Sequence, residues 1–189
     1  MNFAVPSVHS VQFYDESSAL IERLCGIVGS GLKVGESVLI VATAFHRLEL
    51  VKQLESSGIE VRDFAREGRF TMFDAEETLS TFMRAGRPDP GLFIRSVGSL
   101  VVGAKKVSAR SSGNGLTVFG EMVAVLWDRG EKEAALELEN LWNDLLNSRA
   151  FHLHCAYPRK LVSNGNDSHI AEICSRHSHV LDELHLKIA

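Results

Sequence analysis

The stretch Gly31 to Arg47, GLKVGESVLIVATAFHR, limits the fold more than any other part of the chain. An amphipathic helix is expected to stop at its glycines. Just after Gly35 the apolar run Val38 to Ala42 begins, too short to span a membrane and rich in β-branched residues. Such a run reads as a strand buried on both faces. Thr43 then offers a hydroxyl as helix N-cap, and His46 falls in the first turn of the next helix. Helix, buried strand and helix in succession predict a parallel α/β sheet. Sheets of this kind bind ligands at the carboxyl ends of their strands, and His46 lies at such an end.

With 189 residues, 45% hydrophobic and 23% charged, the chain has material for one full core. A net charge of −4 argues against a nucleic-acid binder, which needs a basic face. The N-terminus lacks a basic segment followed by an apolar core, and no apolar run reaches membrane length, so a cytoplasmic location without a membrane partner is expected. Cys25, Cys155 and Cys174 form no CxxC pair and read as buried thiols in a reducing compartment.

Taken in order, HSVQFY at His9 reads as a first strand, with Asp15 capping a helix that carries Leu20, Leu24, Ile27 and Val28 inward and ends at Gly29 and Gly31. The helix after Thr43 would bury Leu48, Val51 and Leu54 and close at Gly58. Phe70 to Phe73 is a third strand. Asp74 with Glu77 forms a capping box for a helix facing inward through Leu79, Phe82 and Met83. Asp89-Pro90 starts another helix. Leu116 to Phe119 is the next strand, running into Gly120-Glu121. A helix interrupted at Gly130 continues through Ala134, Leu138, Leu141, Trp142 and Leu145. Phe151 to Tyr157 alternates as a last strand, and the tail is expected to be helical around Ile170 to Val180. The pattern predicts an α/β protein, a three-layer α/β/α sandwich with a mostly parallel central sheet. Residues 1–160 would form the domain, and 161–189 a polar tail that belongs to it or packs on it.

The phrase GLKVGESVLIV resembles the second-strand region of RecA/KaiC-like ATPases. Those proteins carry a phosphate-cradling loop after their first strand. This chain has DESSAL there, without glycine or lysine, and Asp15 and Glu16 would repel a polyphosphate. Further matching stretches are HSVQFYD, ATAFHR, GRFTMFDAEETL, the Pro88-Asp89 turn, FGEMVAVLW, LENLWNDL, CAYP and ICSRHSHV. Together they resemble the MEDS sensory domain, the methanogen and methylotroph DcmR-like sensory family. The resemblance implies a RecA/KaiC-like fold without the phosphate loop and a sensory role, with small hydrocarbon derivatives suggested as ligands for some members. It implies output to a histidine kinase, response regulator or anti-sigma-type protein.

The strand ends should bring Tyr14, Thr43, His46, Asp74, Glu121 and Tyr157 to one edge, where they would hydrogen-bond a small, partly apolar organic ligand. Each has a plainer alternative: Asp74 as a helix cap, Tyr14 and Tyr157 as core aromatics, Glu121 as an internal partner of His46. A scaffold without ligand and an acid/base enzyme using His46 and Glu121 are the competing readings. No GxSxG or HExxH motif is present, and no catalytic set or cofactor is assigned. His152 with His154, and Cys174 with His177 and His179, hint at metal but lack ligands at diagnostic spacing, so no metal site is assigned. A homodimer would pair through the last strand or the tail.

Overall fold

The computed structural model describes residues 7–111, 115–162 and 168–181. Strands β1 (Val8–Tyr14), β2 (Ser37–Ala42), β3 (Phe70–Asp74), β6 (Leu116–Gly120), β7 (His152–Pro158) and β8 (His179–Leu181) form one six-stranded sheet in the order β3-β2-β6-β7-β1-β8. Every pairing in it is parallel. The short β4 (Met83–Arg84) and β5 (Arg87–Pro88) make a separate antiparallel hairpin. The α/β/α sandwich read from the sequence is the fold observed.

Side chains alternate across the sheet, and this divides the core in two. Tyr14, Val38, Ile40, Ala42, Phe119 and Ala156 face one layer, covered by α1 (Ser17–Lys33), α2 (Ala44–Ser56) and α3 (Val61–Arg66). Val11, Phe13, Leu39, Val41, Val118, Leu153, Cys155 and Tyr157 face the other. That layer holds α4 (Ala75–Phe82), α5 (Pro90–Phe93), α6 (Ser99–Ser108), α7 (Met122–Asp128), α8 (Lys132–Ser148), α9 (Arg159–Val162) and α10 (Ser168–Cys174). A π-helical turn, Ile94–Gly98, joins α5 to α6.

Several boundaries differ from the sequence expectation, each for a local reason. Helix α1 runs through Gly29 and Gly31 to Lys33, and Gly35, with φ +91°, makes the turn into β2. Gly29 serves packing instead: a Cβ there would meet Ile59 Cδ1 at 2.7 Å. Asp15 is not the cap of α1. That position is Glu16, whose side chain makes no capping hydrogen bond, while Asp15 lies 3.6 Å from Arg159. Helix α2 buries His46, Leu50 and Leu54, leaving Leu48 56% exposed. Helix α4 ends at Phe82, so Met83 opens the hairpin that Gly86 turns. Helix α3 was not anticipated; six residues are too few to show a period. Strand β7 is buried on both faces between β6 and β1, so it cannot pair two chains. The tail is helical only to Cys174, and His179–Leu181 adds β8 beside β1. Among the described residues no helix is long and apolar enough to cross a membrane.

Candidate functional site

Because all six strands run the same way, their carboxyl ends share one edge. The register Val41↔Gly120 sets the residues after β2 and β6 side by side. Glu121 donates its backbone N–H to Val41 O at 2.9 Å. Its carboxylate, 4% exposed as a residue, accepts the Thr43 backbone N–H at 2.7 Å through Oε2. Through Oε1 it meets His46 Nδ1 at 2.6 Å. Thr43 caps α2, its hydroxyl accepting the His46 N–H at 3.5 Å.

The carboxylate fixes the tautomer of His46. Nδ1 donates to Glu121, which leaves Nε2 to accept the Ser17 hydroxyl at 3.0 Å. Ser17 opens α1, directly after β1. The result is a chain Ser17–His46–Glu121–Thr43 that links the starts of α1 and α2 to the turn before α7. Tyr14, the last residue of β1, packs edge-on to His46 with centroids 6.1 Å apart. Burial, and then the charges of Glu121 and Asp128, push its phenol pKa upward, so it stays neutral.

Ser17 also lines a cleft of about 390 Å³ between α1 and α2. Ile21 and Phe45 supply its apolar wall, and Ser18, Glu22, Glu49, Lys52 and Gln53 its polar rim. Phe45 is 58% exposed, an unusual place for a phenylalanine, and its ring centroid lies 5.3 Å from that of His46. Glu16 gives α1 no side-chain cap, and the Ala19 N–H turns back to the Glu16 carbonyl at 3.1 Å.

The six residues expected at this edge do not all meet. Tyr14, Thr43, His46 and Glu121 come together. Asp74 lies beside them at the end of β3, but its carboxylate is committed: Oδ1 caps α4 through the N–H groups of Glu76 and Glu77, and Oδ2 accepts from Arg47 at 2.7 Å. Tyr157 is on the opposite face, where its hydroxyl donates to Glu139 Oε1 at 2.7 Å. One residue along β7 from Pro158 changes the face, and that parity depends on register with β1 and β6. Ser17, Phe45 and Ile21 escaped the sequence reading. Only the strand–helix junction at Asp15 hinted that residues just beyond it sit at the edge.

Of the metal hints, His152 and His154 share a face of β7, and among the described residues they belong to no group of three ligands. His154 bonds Ser10 and Gln12, and burial lowers its pKa to about 3, so it is neutral. His177 instead joins His9, Glu139 and Cys155 within the core.

The architecture defines a class: a parallel α/β sandwich with a polar chain and a cleft at its strand ends. The model of the MEDS family, the methanogen/methylotroph DcmR sensory domain, matches residues 8–178. The chain belongs to the MEDS family. No curated protein matches it in sequence. Among solved structures it is similar to an uncharacterized protein from Pyrococcus horikoshii, solved in complex with an unknown peptide. The TM-score is 0.69 at 13% identity, covering 96% of this chain and 78% of that one, a likeness of fold alone.

Proposed function

We propose that this MEDS domain is the input module of a signalling pathway. It takes a small, partly apolar organic molecule in the α1–α2 cleft and passes its state to a histidine kinase, response regulator or anti-sigma-type partner. The observation that carries this reading is the double membership of Ser17, which lines the cleft and also donates to His46. A ligand oxygen that takes the Ser17 hydroxyl frees His46 Nε2. The Glu121 hydrogen bonds then readjust at the first turn of α7. Phe45 and Ile21 suit a hydrocarbon part, and the polar rim suits one or two heteroatoms. A thermal-shift panel of short alcohols, amides and halogenated hydrocarbons tests the reading. At least one class should stabilise the protein in a dose-dependent way, and Phe45→Ala should abolish the effect. Stabilisation by magnesium-ATP alone, followed by its hydrolysis, would overturn it.

One observation favours a second reading. Ser17, His46 and Glu121 stand in the order of nucleophile, base and orienting carboxylate, at 3.0 and 2.6 Å. In that case the cleft would host acyl transfer. Labelling of Ser17 by a fluorophosphonate, lost in His46→Gln, would support it. A chain that stays unlabelled at high reagent excess would exclude it.

A further inference from the structure

We propose that His9, Glu139, Cys155 and His177 form a buried site for a tetrahedral divalent metal ion of the zinc type. The four residues come from β1, α8, β7 and the turn before β8. One ligand atom from each lies within 4.8 Å of all the others.

Four of the contacts within this set have the lengths of the edges of a metal site. With bonds of about 2.0 Å to nitrogen or oxygen and about 2.3 Å to sulfur, the edges of a tetrahedral site are about 3.3–3.8 Å. His9 Nε2 is 3.3 Å from Glu139 Oε2 and 3.5 Å from Cys155 Sγ. Cys155 Sγ is 3.7 Å from Glu139 Oε2, and His177 Nε2 is 3.5 Å from the other oxygen of the same carboxylate, Oε1.

The surroundings aim both imidazoles at the centre. Asn143 Nδ2 donates to Arg176 O, which turns its Oδ1 toward His9, so His9 Nδ1 carries the proton and donates at 2.9 Å. His177 Nδ1 faces only the Ile173 carbonyl, at 2.8 Å, and must donate as well. With Nδ1 committed in this way, both rings turn Nε2 toward the carboxylate, and His9 toward the thiol as well. This is the outer-shell arrangement that orients metal-binding histidines. His177 Nε2 is fully buried and makes no hydrogen bond. Tyr157 donates to Glu139 and holds the carboxylate in place. A doubly charged cation with one thiolate and one carboxylate leaves the site neutral, which suits a core position. Four protein ligands leave no open position, so the ion is structural and clasps the C-terminal segment to β1, β7 and α8.

The test uses the full chain. Elemental analysis after growth with zinc should find about one equivalent per chain, as a single closed site requires. Cobalt(II) added to chelator-stripped protein should give the visible bands of a tetrahedral site and a thiolate-to-metal charge-transfer band. Cys155→Ser should remove the charge-transfer band, and His177→Gln should weaken cobalt affinity at least about tenfold. Cys25→Ser and Cys174→Ser should leave the spectrum unchanged. If Cys155→Ser does not fold, the wild-type spectrum with these two controls still identifies the thiolate. Trace zinc in the wild type with no tetrahedral cobalt spectrum would overturn the proposal, as would a charge-transfer band lost in Cys25→Ser or Cys174→Ser.

Discussion

Glu121 holds three groups at once: the Thr43 N–H, the Thr43 hydroxyl and the His46 ring. Its position is fixed by the strand pairing, so the carboxylate cannot follow its partners elsewhere. Glu121→Gln keeps the size but replaces one accepting oxygen with an amide donor, leaving the Thr43 N–H or the buried His46 Nδ1 short of a partner. We expect a loss of about 2–3 kcal/mol in urea unfolding, the usual cost of removing a hydrogen bond to a charged group. A change below about 0.5 kcal/mol would show that the carboxylate is not held as described. Tyr14 gives a second prediction at this scale. Its pKa is raised in the fold, while in the unfolded chain it ionises near pH 10. The folded state then binds the extra proton, so stability is full below about pH 10 and falls as the pH rises above it. Tyr14→Phe should flatten this alkaline decline, as read from urea midpoints against pH. An identical decline in both proteins would contradict the assignment.

Among the elements, legibility followed length and apolar content. Strand β2 was plain because five of its residues are apolar and buried on both sides. Strand β8 was hidden because three residues, HVL, carry no period, and only pairing with β1 makes them a strand. Helix α2 was recognised with Leu54 rightly inward and Val51 packed against the core, but with Leu48 misplaced. Leu48 promised burial, but His46 fills that stripe because its ring is tied to Glu121. Helix α1 offers a direct check on glycine. Gly26 has nothing within 4 Å of an added Cβ, whereas Gly29 faces Ile59. Gly26→Ala should stabilise by about 0.5–1 kcal/mol through helix propensity. Gly29→Ala should forfeit that gain to overpacking against Ile59. Equal shifts in thermal unfolding would mean that α1 does not approach Ile59 closely.

For the molecule as a whole, the sheet and the edge carrying most of the candidate residues were legible in the sequence, but not which face each side chain takes. Tyr157 stands at the end of β7 but faces the opposite layer, as the core aromatic that was its plainer alternative. The set His9, Glu139, Cys155 and His177 stayed invisible because its members come from four elements, 168 positions apart at the extremes (177 − 9), and meet only once β1, β7 and α8 are packed. Cys155 and His177 had each drawn attention separately. If a metal clasps these elements, removing it should loosen the C-terminal segment. Free zinc about a thousandfold above its Kd would contribute about 4 kcal/mol to stability. Chelation should therefore lower the Tm and speed proteolysis near α10, and zinc should reverse both. A Tm indifferent to chelator would contradict the clasp.

We propose above that the cleft beside Ser17, His46 and Glu121 receives a small organic ligand. Ligand-observed NMR with a fragment library, on the wild type and on Ser18→Trp, tests it most directly, because Ser18 is exposed on the rim and a tryptophan there fills the cleft without entering the core. Partly apolar fragments should compete for one site and weaken at least about tenfold in the variant, a difference of about 1.4 kcal/mol. Fragments that bind both proteins equally, or none that bind the wild type, would contradict it.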